Sequence, residues 1–180
     1  MVRLPKRNRT EVNTHLNLIQ SITGGNDEIV LQFLVTFSRF EYALKRAGFV
    51  KGDRHNNASA DWCRFAREKL HSRLADIPDT EFTEARWYLL QEPPGKQIFV
   101  KDKRIVRWEA NSQWSRESEA EYLLRLVKDV RNNLFHGGKY PDGPVGEQTR
   151  NRRLLQACLT ILDYCLSTDE KVKCFFEEHV

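Results

Sequence analysis

The feature that most constrains this chain is the spacing of apolar residues between Asp27 and Gly48, where Ile29, Phe33, Phe37, Phe40 and Leu44 recur at intervals of three and four. On a helix these positions form one stripe, whereas a strand would send them to both of its faces. The segment EIVLQFLVTFSRFEYALKRA is therefore expected to be a long helix with a core on one side. Asp27, directly after Gly24-Gly25-Asn26, is expected to cap its start, and Gly48 to supply a left-handed stop.

The same period returns along the chain. Trp62, Phe65, Ala66, Leu70 and Leu74 predict a helix from Asp61 to about Ala75, and Thr80 is expected to cap a shorter one through Leu90. Ser118, with Glu121 three residues on, reads as a capping box opening a helix to about His136, which Gly137-Gly138 ends. A long helix is expected over Thr149 to Leu166, and a last short one within Ser167 to Glu178 with Val172, Phe175 and Phe176 inward. Val12, Leu16, Ile19 and Ile22 suggest further amphipathic turns before Asp27. Pro93-Pro94-Gly95 breaks the pattern, and IFV, KDKR and IVRW after it predict a small β-hairpin insertion around 97–108. The expected fold is an all-α, up-and-down helical bundle decorated by that hairpin.

With 180 residues, 40% of them hydrophobic, and no long Pro/Gly/Ser linker, the chain is expected to form a single domain over 1–180. The formal charge is only +4, but cations cluster: Arg3, Lys6, Arg7 and Arg9 make residues 1–10 a basic tail, and Arg150, Arg152 and Arg153 follow later. Clusters favour a polyanionic partner more than net charge does, although a basic tail is often only solvated. Lys101, Lys103, Arg104 and Arg107 make the hairpin a phosphate-contact candidate. Cys63, Cys158, Cys165 and Cys174 lack the close pairing of a zinc site and are expected to be reduced and buried. No export signal or spanning apolar run is read, so the expectation is a cytoplasmic protein with no membrane contact.

The chemistry is concentrated in RNNLFHGGK, Arg131 to Lys139, where an arginine, an amide and a histidine meet at a helix end. Guanidinium is planar and always charged, while imidazole titrates near neutrality, so together they can hold a phosphate and move a proton without a metal. Leu123, Val127, Val130 and Leu134 lie within about 60° on the helical wheel and face the core. Asn132 and His136 fall on the opposite side with Arg125, Lys128 and Asp129. That face is either simply solvated or a site, and a cation in the last turn also complements the helix dipole. Arg131 and His136 diverge by about 140° on an ideal helix, so one copy makes a poor site. Either the helix end distorts or two copies meet across a twofold axis, and the second solution is the expected one.

On these residues the chain resembles the HEPN superfamily (higher eukaryotes and prokaryotes nucleotide-binding domains), whose signature is Arg, a polar residue, a short spacer and His. Arg131, Asn132 and His136 match it, and the outline of an aromatic-faced helix with Glu41 near its end, the motif helix and a last long helix covers most of residues 27–166. The resemblance implies a metal-independent endoribonuclease, a hydrolase of toxin-antitoxin or other defence type, with a composite active site at a homodimer interface. It also implies RNA as substrate, an antitoxin or regulatory protein as partner, and no cofactor or metal. In that reading His136 is general base or acid, Arg131 stabilises the phosphorane, and Asn132 orients phosphate or histidine. The position two after the histidine, a modified tyrosine in one toxin branch, is Gly138, so that branch's regulation is not carried over. The alternative is a non-catalytic helical module that binds nucleotide, RNA or a protein partner through the same face.

Overall fold

The computed structural model describes residues 27–74, 79–135 and 147–178. Six α-helices and two antiparallel two-stranded ribbons make up the described residues. Helix α1 (Asp27–Ala47) carries the predicted stripe, with Phe33, Phe37, Phe40 and Leu44 buried. Asp27 is its first helical residue, and it stops at Gly48, whose φ of +99° is the left-handed conformation that favours glycine. The amphipathic turns expected over Val12 to Ile22 lie outside the described residues, as does the 1–10 tail.

After α1 comes a ribbon that periodicity did not reveal, β1 (Val50–Gly52) paired with β2 (Ala58–Ala60). Its strands are only three residues long, too short for alternation to register. The signal was in its turn, where Asp53 Oδ1 accepts from the amides of His55 and Asn57.

Asp61, the expected start of the next helix, is its cap, accepting from the Arg64 amide at 3.2 Å. The helix is less regular than its sequence period: α2 (Trp62–Phe65) widens into a π segment over Ala66–Leu70 and tightens into a 3-10 turn over His71–Arg73. Trp62, Phe65, Ala66, Leu70 and Leu74 stay buried nevertheless. Helix α3 (Thr80–Gln91) is capped by Asp79, not Thr80. The carboxylate of Asp79 accepts from the Phe82 amide, while the Thr80 hydroxyl sits one residue too late to reach it.

The insertion predicted around 97–108 is β3 (Lys96–Val100) paired with β4 (Ile105–Glu109), in a register from Lys96 opposite Glu109 to Val100 opposite Ile105. Helix α4 (Glu119–Phe135) follows, opened by the predicted capping box: the Ser118 hydroxyl accepts from the Glu121 amide, and the Ser118 amide donates to the Glu121 carboxylate at 3.0 Å. Helix α5 (Glu147–Ser167) starts earlier than expected, which places Arg150, Arg152 and Arg153 inside it instead of at its opening. Helix α6 (Glu170–Glu177), capped by Asp169, turns Val172 into the core and packs on α1.

An aromatic column fills the space between α1 and α2. Phe37 stacks on Trp62 at 5.1 Å between centroids, Phe40 meets Phe65 edge-on at 5.6 Å, and Phe49 closes against Phe65 at 5.2 Å. Such pairs add about 0.5–1.5 kcal/mol each beyond the area they bury. Helix α4 touches the 62–73 helix, α3, α5 and β3, while α5 packs on α1, α3, α4 and α6. Of the cysteines, Cys158 and Cys165 are buried as expected, whereas Cys63 and Cys174 are exposed; all four are free thiols.

Gly48 is the position where conformational freedom is required. A Cβ there would meet nothing within 4 Å, so only backbone strain opposes it. Gly48→Ala is expected to lower stability by about 1–2 kcal/mol in urea unfolding, with an unchanged helical circular-dichroism spectrum. Parental stability in that variant would contradict the left-handed stop.

Candidate functional site

The end of α4 is built in two layers. The inner layer is the predicted stripe: Leu123, Val127 and Val130 are buried and Leu134 is packed against the core. The outer layer differs from the solvated or site-forming face that the wheel suggested. Arg125 is a structural hub whose guanidinium forks onto Glu117, with Nε to Oε1 and Nη2 to Oε2 both 2.8 Å. It also donates to Asn111 Oδ1 and the Ser112 carbonyl, and lies against the rings of Trp114 and Tyr122. Side-chain exposure is 15% for Arg125 and 8% for Glu117, so this pair is held mostly away from water.

Buried Asn111 completes the network, because its Nδ2 donates both to the Pro94 carbonyl (2.8 Å) and to Asp129 Oδ2 (3.0 Å). Both of its amide hydrogens and its oxygen are thus occupied. Asp129 and Arg125 are therefore used by the fold: the 110–118 connection folds back over this side of α4, and the wheel could not foresee a cover from elsewhere in the chain. One turn on, Asn133 Nδ2 donates to the Gly95 carbonyl at 2.8 Å and fastens the foot of the β3–β4 ribbon.

Arg131 and Asn132 are left between these fixtures. Arg131 is half-buried and Asn132 exposed, and Arg131 Nη1 donates to Asn132 Oδ1 at 3.2 Å. The guanidinium lies 4.3 Å from the centroid of Phe135 and 5.7 Å from that of Phe37, the ring that stacks on Trp62. Two aromatic faces orient the cation without neutralising it. Among the described residues the ion pairs involve other cations, including Arg125 with Glu117 and Arg67 with Glu121, and none involves Arg131. Its charge and most of its donors stay available to an anion. His136, the third residue of the motif, lies outside the described residues, as do Gly137 and Gly138.

Other candidates find separate employment. Glu41 accepts from Trp62 Nε1 at 3.0 Å, fixing the tryptophan that backs Phe37. Arg150 Nη2 donates to the Pro93 carbonyl at 3.0 Å and Arg153 covers the Tyr88 ring, so these two brace the fold, while Arg152 is exposed. The cations of the ribbon, Lys101, Lys103, Arg104 and Arg107, are exposed, and Arg107 pairs with Glu109 at 2.8 Å. Among the described residues no group of three His, Cys, Asp or Glu side chains is placed to hold a metal ion. Nor is any described helix long and apolar enough to cross a membrane. The residues missed in the sequence are Phe37 and Phe135, which seat Arg131, and Asn133 and Asn111, which tie the ribbon to α4; only the run of two asparagines after Arg131 offered a signal.

Burial opposes ionisation of Glu117, but the Arg125 hydrogen bonds, the Trp114 amide and the Arg125 charge outweigh it and hold the carboxyl below the ordinary glutamate range. Asp129 shifts the other way, because burial outweighs the Asn111 hydrogen bond and the Arg125 charge. A lowered carboxyl stabilises the fold at neutral pH and loses that contribution as pH falls through the lowered value; a raised one costs stability as pH rises. Glu117→Gln is therefore expected to lose about 1.5–3 kcal/mol at pH 7 in urea unfolding. The gap to the parent should narrow in acid, below the ordinary glutamate range; a gap constant with pH would remove Glu117 from the role.

Compared with protein-family models, with curated proteins and with solved structures, the chain matches none.

Proposed function

We propose that the chain is a metal-independent endoribonuclease of HEPN type, acting as a homodimer, with Arg131, Asn132 and His136 as its catalytic residues. The observation that carries this reading is Arg131: a guanidinium at the end of α4, seated on Phe37 and Phe135, bonded to the exposed amide of Asn132 and paired with no carboxylate among the described residues. A cation fixed in this way suits a phosphate better than a fold-stabilising ion pair, for which Arg125 on the same helix is the model.

The reaction is transesterification within RNA. The ribose 2'-oxygen attacks the adjacent phosphorus as a base removes its proton, the phosphorus–5'-oxygen bond breaks, and an acid protonates the departing 5'-oxygen. The products are a 2',3'-cyclic phosphate and a 5'-hydroxyl end. His136 carries the proton, Arg131 stabilises the charge that accumulates on the phosphorane, and Asn132 orients the phosphate. Because Arg131 and a histidine five residues later would diverge on an ideal helix, the reading assigns the complete site to two copies, each contributing part. A toxin or defence role with a silencing protein partner follows from the same resemblance.

Cleavage of single-stranded RNA is expected to persist in EDTA and to yield cyclic-phosphate ends. His136→Ala and Arg131→Ala should each lower the rate by about 100-fold or more while keeping the helical circular-dichroism spectrum. Arg131→Lys, which restores charge without the planar fork, should recover only part of it. Undiminished cleavage in both alanine variants would overturn the assignment, and RNA binding with no cleavage by the parent would make the chain a non-catalytic binding module.

A further inference from the structure

The two faces of the β3–β4 ribbon differ: the β3 side chains of one are partly buried, and those of the other are largely exposed. On the first face Ile98 and Val100 are partly buried, and β3 packs along α4. The opposite face carries Gln97, Phe99, Val106 and Trp108, with Phe99 directly across from Val106 and Gln97 across from Trp108. Phe99 is 61% exposed, Val106 60% and Trp108, which packs over Gly95, 48%. Single exposed apolar residues are ordinary, but two aromatic rings on one side of a two-stranded ribbon form a platform. The rings are diagonal neighbours, about 7–8 Å apart at the backbone, a spacing that adjacent nucleotides of an extended strand can bridge.

Charge narrows the occupant. The tip between the strands reads Lys101-Asp102-Lys103-Arg104, all exposed, with three cations to one anion. Arg104 holds φ at +51°, a left-handed position where glycine would be cheaper. Aromatic faces beside cations that form no ion pair among the described residues suit a polyanion with exposed flat bases, which is single-stranded nucleic acid; an apolar protein surface would have no use for the basic tip. The ribbon also springs from the candidate site, because Asn133, the residue after Asn132, holds its foot through the Gly95 carbonyl.

We propose that the β3–β4 ribbon is a stacking arm for single-stranded RNA, with Phe99 and Trp108 stacking bases and Lys101, Lys103 and Arg104 contacting phosphates. The choice of RNA rests on the nuclease reading above. The arm supplies affinity and not chemistry, so it can be tested with cleavage disabled.

The test uses the His136→Ala protein and a fluorescently labelled single-stranded oligouridine, followed by anisotropy. Phe99→Leu and Trp108→Leu keep apolar bulk on the ribbon but remove the ring, and each is expected to weaken binding by about 5- to 150-fold. Trp108→Phe should retain most of the affinity, which separates stacking from support of Gly95, over which Trp108 packs. Lys101→Gln with Lys103→Gln should flatten the dependence of log affinity on log salt by about 0.7 per lost phosphate contact. A duplex, whose bases are already stacked inside, should bind more weakly than the single strand.

The proposal is overturned if both leucine variants bind like their parent, if the parent binds no RNA, or if the variants change only self-association in sedimentation, which would make the face a protein-docking surface. Ribbon-dependent binding by a chain that never cuts RNA would instead sink the nuclease reading and leave the arm standing. Cleavage by the native chain with RNA affinity indifferent to Phe99 and Trp108 would do the reverse.

Discussion

The interaction on which the rest of this structure depends is the fork of Arg125 onto Glu117. It brings the segment after β4 back across α4 and lets Asn111 bridge from Asp129 to the Pro94 carbonyl. A charge pair this far from water is costly to desolvate, and it persists because its remaining donors are also engaged, by Asn111, Ser112 and two aromatic rings. Leaving one partner alone would strand a charge, so the network acts as a unit. The position of the ribbon, and of the helix end beside it, follows from that unit.

A second constraint sets the character of Arg131. The aromatic column that joins α1 to α2 includes Phe37, and Arg131 rests against that ring with Phe135 as its other face. The core thus provides the seat, while the charge itself is left without a counterion among the described residues. Arg125 and Arg131, six residues apart on one helix, show two uses of the same side chain: one is saturated by the fold, and the other is oriented by it and left unsaturated.

Much of this architecture was legible in the sequence where a strong period or a local rule decided the outcome. The stripe of α1, the Gly48 stop, the Ser118–Glu121 capping box and the β3–β4 ribbon all follow from residues close together in the chain. What was not legible depends on distant partners. Glu41 reads as an ordinary surface glutamate and in fact serves Trp62, and Arg125 and Asp129 looked free until the 110–118 segment covered them. The π segment after Phe65, which lies against α4, has no signal in the helical period either. At the candidate site the sequence identified Arg131 and Asn132 but not the rings that hold the arginine, because Phe37 reads only as core.

The β3–β4 ribbon leaves and rejoins the body at almost one place. Gly95 is held by Asn133 and Asn111 by Asp129, residues one turn apart on α4. A segment whose two ends are clamped together is mechanically closed, so a change in the length of its tip between Val100 and Ile105 would not pull on the helices.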